Sequence, residues 1–169
     1  MRGLLLQVAV AMAWVFAVSL IGQSLTDLGP WYQQLRQPEW KPPDWAFGVI
    51  WTSIFVLIVI AGVIAWRKTV SSTQRTNILL LFAVNSCLHI GWSYLFFTAQ
   101  RPDWAMIELL FLWASIGLIM LYLWKISRLA AVLLMPYLVW VTIAGFLNYA
   151  NVELNGPFGR EAAVAAQER

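Results

Sequence analysis

The side chains able to do chemistry in this chain are few, and they sit inside long apolar stretches. Asn85, His89, Trp92 or Ser93, and Phe96 recur at i, i+4, i+7/8 and i+11. That spacing is one helical face, polar in its first half and aromatic in its second. Polar groups inside a membrane are costly and turn towards a bundle interior or a cavity. Two readings are open: Asn85 and His89 hydrogen-bond a neighbouring helix, or they line a ligand cavity. Glu108 is the one carboxylate well inside a predicted span. It either snorkels to the interface or serves a proton relay, with Arg101 or His89 as candidate partner. No catalytic residue is assigned. Asp27, Glu39, Asp44 and Asp103 fall in predicted loops, and no two acids have a spacing for acid–base catalysis. No Ser-His-Asp set, phosphate-binding glycine loop or metal cluster stands out. His89 is the only histidine, and Cys87, two residues away, would point to a different helix face, so no metal site is expected. A haem axial ligand would lack a Cys-x-x-Cys-His attachment motif beside it.

Aromatic residues supply the other pattern. Trp51 and Phe55 share a helical face at i, i+4. Pro136, Trp140, Ala144 and Leu147 form a second face with an indole, a small hollow and an apolar edge. The stretch from Trp31 to Trp51, WYQQLRQPEWKPPDWAFGVIW, holds four of the eleven tryptophans and places Pro38, Pro42 and Pro43 between them. Proline fixes φ and restricts the residue before it, which predicts a stiff, non-helical loop running into an apolar segment near Trp45. Trp31, Tyr32, Trp40, Pro42, Pro43 and Trp45 then form either an aromatic belt at a helix entrance or a cover over a ligand pocket. An indole-rich dry cavity capped by such a loop suits a large planar, mostly apolar ligand, with Arg36 and Lys41 available to its carboxylates. Porphyrins fit that description.

These groups must be carried by membrane helices. The chain has 169 residues, 61% hydrophobic and 11% charged, against about 25% charged in a soluble domain. Its net charge of +3 is scattered and suggests no nucleic-acid partner. One cysteine excludes an internal disulfide. Five apolar segments are long enough to span a bilayer: 3–21, 45–66, 77–98, 104–124 and 129–150, the last with Pro136 inside it. The fold class expected is an all-α membrane protein, a bundle of five transmembrane helices over 1–150. A polar, alanine-rich tail over 151–169 is expected to be partly disordered. The start, Met1-Arg2-Gly3 before a leucine run, also resembles a signal peptide, but the apolar run is longer than a usual signal core. Ala9, Ala13 and Ala17 form a small-residue face suited to the bundle interior or to a homodimer. Arg2, Arg67, Lys68, Arg75, Lys125 and Arg128 fall on one side of the membrane. The positive-inside rule makes that side cytoplasmic and puts the Trp–Pro loop and C-terminus outside.

The loop also carries a resemblance. WYxxLxxPxWxPPxW followed by FGxxW resembles the signature of the TspO/MBR family of tryptophan-rich translocator proteins. Pro136-Tyr137-Leu138-Val139-Trp140 and Leu147-Asn148-Tyr149 resemble its PYLxW…LNY, and Trp92 with Phe96-Phe97 adds a third match. The resemblance spans roughly residues 31 to 149 and its loop motif is long and idiosyncratic. It implies five spans, a pocket using a Trp and a small residue at the positions of Trp140 and Ala144, and a protoporphyrin IX-like ligand in place of a required cofactor. The implied ligand-binding set is Trp31, Tyr32, Trp40, Pro42, Pro43, Trp45, Trp51, Phe55, Asn85, His89, Trp92, Trp140, Ala144, Leu147 and Asn148. His89 is a departure, because the family usually has asparagine there, and Asn85 stands where many members have glutamine. Glu153 occupies a place where animal members carry a basic residue in a cholesterol-recognition pattern, which argues against specific sterol binding. Three functions share such a cavity: porphyrin sensing or regulation, porphyrin transport, and an enzyme-like, light-assisted degradation.

Overall fold

The structure, a computed structural model, describes residues 2–159. Its helices are α1 (Arg2–Leu25), α2 (Pro30–Gln34), α3 (Asp44–Lys68), α4 (Ser72–Ser93), α5 (Pro102–Trp124), α6 (Arg128–Val132) and α7 (Met135–Asn155), and α4 ends in a π turn over Tyr94–Thr98. Five segments among the described residues are long and apolar enough to cross a membrane: Gly3–Leu25, Asp44–Lys68, Ser72–Thr98, Pro102–Trp124 and Arg128–Asn155. The expected five-helix bundle is what the chain forms. α1 packs against α3 and α4, α4 against α5, α5 against α6 and α7, and α6 against α3. α3 and α4 meet each other only slightly, so α1 closes the ring between them.

Two apolar clusters fill the bundle. One joins Ala61, Ala65, Ile78, Ile119, Leu123 and Leu134 near the basic end. The other joins Ile54, Leu109, Ile116, Tyr137, Trp140 and Val141 nearer the loop end. α1 supplies no residue to either. In lipid the helices gain no hydrophobic attraction for one another, so close packing and interhelical hydrogen bonds hold them. Trp14 Nε1 donates to Ser86 Oγ at 3.0 Å, Asn77 Nδ2 to the Tyr122 hydroxyl at 3.2 Å, and Trp113 Nε1 to Thr142 Oγ1 at 2.9 Å. Each satisfies a polar group of a spanning segment and ties two helices together.

Several expectations are corrected in detail. The Trp–Pro loop is not wholly non-helical, because α2 forms at its start with Pro30 in the first turn, where a missing N–H costs nothing. The extended course returns at Leu35, and a turn at Glu39–Trp40 follows, where the Lys41 N–H donates to the Pro38 carbonyl at 3.0 Å. The third span starts five residues early, because Ser71 caps α4 by accepting the Gln74 N–H at 3.1 Å. The polar connection before it therefore shrinks to Thr69–Ser71. The fifth span is two helices, α6 and α7, broken at Leu133–Leu134 just before Pro136, a residue unable to donate to the preceding turn. α7 continues to Asn155, past the expected start of the tail at 151. The rest of the expected tail, 160–169, lies outside the described residues. Ala9, Ala13 and Ala17 all face outward from the bundle.

Candidate functional site

A cavity of about 470 Å³ lies between α1, α3 and α4, with Tyr137 of α7 at its inner end. α1 contributes a face from Gly3 to Val18 that includes Gln7 and Trp14, α3 a face from Phe55 to Trp66, and α4 a face from Ile78 to His89. The walls are nearly all apolar. The lining residues that also face outward belong to α1 and α4: Leu6 is 66% exposed, Val10 60%, Trp14 45% and Leu79 52%. The lining of α3 is half-buried or buried. The cavity therefore opens sideways, along the seam between α1 and α4, towards the bilayer.

The polar face read from the sequence divides in two. Asn85 donates to Ser115 Oγ at 2.8 Å and accepts from the Tyr137 hydroxyl at 3.2 Å, so it joins α4, α5 and α7. Ser115 in turn donates to the Leu112 carbonyl. Asn85 touches the cavity but spends its amide on the bundle. The imidazole of His89 makes no hydrogen bond among the described residues. It lies edge-on to Trp51 with centroids 4.7 Å apart, and edge-on to Phe55 at 5.8 Å. Gly22 of α1 keeps space beside it, since a Cβ there would stand 3.9 Å from His89 Nε2. His89 thus has free nitrogens at the inner end of the cavity, within an aromatic frame.

Phe55, Asn85 and His89 are the members of the expected ligand set that line this cavity. Trp51 backs them, stacked on Phe55 at 5.6 Å. The others stand elsewhere. Trp31 meets Phe96 edge-on at 6.2 Å and Tyr32 meets Phe97 at 5.6 Å, so α2 is seated on the π turn. That turn widens the helix at its end, and it sets Phe96 and Phe97 4.8 Å apart beneath the loop. Trp92 Nε1 donates to Asn148 Oδ1 at 3.1 Å, while Asn148 Nδ2 donates to the Pro102 carbonyl at 2.7 Å. Trp92 and Asn148 therefore tie α4 to α7 and α7 to α5. Trp140 is buried against Phe47, with Ala144 packed beside it. Leu147 is half-buried and Pro42 likewise, whereas Pro43 faces outward. Trp40 and Trp45, 52% and 72% exposed, face outward in the manner of an interfacial belt.

The charged groups are also committed. Lys41 is ion-paired with Asp44 and lies 5.9 Å from the ring centroids of Tyr32 and Phe47. Partial burial pulls its pKa down, but the Asp44 carboxylate and the Tyr32 hydroxyl outweigh that and leave it above the ordinary lysine value. Arg101 pairs with Asp103, Nε to Oδ1 at 2.8 Å, and stacks on Trp104 at 4.4 Å. The expected partnership of Glu108 with Arg101 or His89 does not form: both carboxyl oxygens are buried without a hydrogen bond, near Gly91 of α4. Arg36 is held through its backbone. Its N–H donates to Asn155 Oδ1 at 2.7 Å, and its carbonyl accepts from Asn155 Nδ2 at 2.9 Å, which clips the Trp–Pro loop to the end of α7. No group of three or more His, Cys, Asp or Glu among the described residues is placed to hold a metal.

The reading from sequence missed the α1 wall, along with Gly62, Phe82 and Tyr137. Gln7 and Trp14, at i and i+7, were the available signal on α1.

A five-span bundle with a bilayer-facing cavity and an aromatic loop across one end defines a multi-pass membrane protein. The model of the TspO/MBR family matches residues 7–153, and the chain belongs to that family. It is 35% identical over 158 residues to the tryptophan-rich protein TspO of Chlorobaculum tepidum, covering 89% of this chain and 97% of that one. It is 30% identical over 120 residues to the human translocator protein, covering 70% of this chain and 71% of that one. It is 29% identical over 125 residues to a tryptophan-rich sensory protein of Cereibacter sphaeroides, covering 74% and 77%.

Proposed function

We propose that the protein binds tetrapyrroles of the protoporphyrin type within the membrane and acts as a sensor or translocator for them. The observation that carries this reading is the inner end of the cavity. There the unpartnered imidazole of His89 stands in a frame made by Trp51 and Phe55. A large flat apolar ligand gains from aromatic walls, and one polar group is enough to orient it. The names of the relatives, sensory and translocator, support the two modes, and the lateral opening suits a ligand that arrives through lipid. The same reading places the N-terminus in the cytoplasm and the Trp–Pro loop outside.

Protoporphyrin binding followed by tryptophan quenching tests it. A protonated His89 favours a ligand carboxylate, so affinity should strengthen as pH falls across about 5.5 to 8. His89→Asn keeps a hydrogen-bonding side chain and removes the titration, so its profile should be flat. Absence of saturable binding by the wild type sinks the reading. Identical pH profiles in the two proteins remove His89 from the site. Flux into sealed proteoliposomes then separates a translocator from a sensor.

A further inference from the structure

The cavity runs lengthwise along its helices. Phe55 to Trp66 on α3 and Ile78 to His89 on α4 are each eleven residues apart, roughly 16 Å of helix at 1.5 Å per residue. Gly3 to Val18 on α1, fifteen residues apart, covers roughly 22 Å. The lining thus follows three helices lengthwise, and an acyl chain lying along α3 would meet apolar walls over that distance. Gly62 contributes to this hollow, since a Cβ built on it meets nothing within 4 Å.

The end away from His89 has a different chemistry. Trp66 lines the mouth, and the Arg75 guanidinium lies 5.2 Å from its ring centroid. Arg75 Nε donates to Thr69 Oγ1 at 3.4 Å, and its two terminal nitrogens have neither a hydrogen bond nor an ion pair among the described residues. Arg67, Lys68, Lys125 and Arg128 belong to the same end of the bundle, and no described carboxylate does. Gln7, on the same half of the α1 wall, has a buried side-chain oxygen with no donor. An apolar slot, open to lipid along one seam and with an unpaired guanidinium against its last α3 residue, Trp66, has the layout of an amphiphile site.

We propose that the slot takes one acyl chain of an anionic bilayer amphiphile from the leaflet on the N-terminal side. The chain enters between α1 and α4 and lies along α3, with its anionic head at Arg75. The chemistry recognised is one hydrocarbon chain of an amphiphile whose head carries an anionic carboxylate or phosphate. This goes beyond the tetrapyrrole reading, which concerns the inner end, and it stands whether or not porphyrins bind.

The test uses the full chain in nanodiscs of phosphatidylcholine and three probes carrying the same mid-chain photoreactive group. They are a free fatty acid, a phosphatidylglycerol and a phosphatidylcholine, with crosslinks mapped by mass spectrometry. The expected result is labelling of residues 3–18 and 55–66 by the free acid or the phosphatidylglycerol. Whichever of the two labels more strongly identifies the source of the head. Gly62→Leu, which fills open space and replaces a mid-helix glycine, should abolish labelling without harming the fold. Arg75→Gln should lower it about fivefold. Equal labelling of the slot by phosphatidylcholine overturns the role of the charge and with it the proposal. Labelling scattered over the other helices, or undiminished in Gly62→Leu, overturns the slot.

Discussion

Asn85 and His89 lie one helical turn apart and have opposite employments. Asn85 is consumed by Ser115 and Tyr137, thirty and fifty-two residues along the chain. His89 is left with ring contacts alone. No spacing within α4 separates a bundle hub from a cavity residue, because the difference lies in partners that the fold brings from α5 and α7. Trp140 shows the same limit. Its spacing with Ala144 gives one helical face and the family resemblance implies a pocket there, yet the structure packs it in the interior against Phe47. Trp140→Ala should therefore act on stability, costing about 3–5 kcal/mol, while porphyrin affinity of the folded fraction stays unchanged. Thermal unfolding in detergent beside a binding titration checks this. A variant of wild-type stability that has lost binding would put the ligand at Trp140 instead.

At the scale of elements, the five spans were legible because a twenty-residue apolar run is a one-dimensional signal. α2 was not, being five residues long and enclosed by prolines, and neither was the cavity wall on α1. That helix is apolar nearly all round, so its pattern does not say which side meets the bundle. The clip between Arg36 and Asn155 was equally hidden, since it joins residues 119 apart. It makes a prediction about the loop. Asn155→Ala should remove both hydrogen bonds and speed amide exchange at Arg36 and across α2. Asn155→Asp can still accept the Arg36 N–H but cannot donate to its carbonyl, so it should fall between. Hydrogen exchange followed by mass spectrometry reads this, and unchanged rates in both variants would mean that the aromatic seat of α2 on Phe96 and Phe97 holds the loop by itself.

At the scale of the molecule, cation–π pairs mark both rims: Arg75 on Trp66 and Arg128 on Trp124 at one end, Arg101 on Trp104 at the other. In the orientation proposed above, the first of these rims is the cytoplasmic one. In a Cys87→Ser background, Thr73→Cys should resist an impermeant thiol reagent on intact cells and react in opened ones. Labelling from outside would reverse the orientation. Position 73 faces outward in the first turn of α4, so a lack of reaction in intact cells reports the side and not burial.

α1 stands at the edge of this arrangement, joined to α3, to α4 and to the turn after α4, where Thr98 Oγ1 donates to the Leu25 carbonyl. Those partners are later in the chain. At about 5–20 residues per second, the ribosome needs roughly 4–15 s after finishing α1 to reach Thr98. For the first part of that interval, until α3 is complete at Lys68, α1 waits in lipid unaccompanied, and its composition allows it: no charged side chain lies between Gly3 and Leu25, and its backbone is satisfied within the helix. The first segment to be made thus stands in lipid before any of its partners exists, a stave cut before the rest of the barrel.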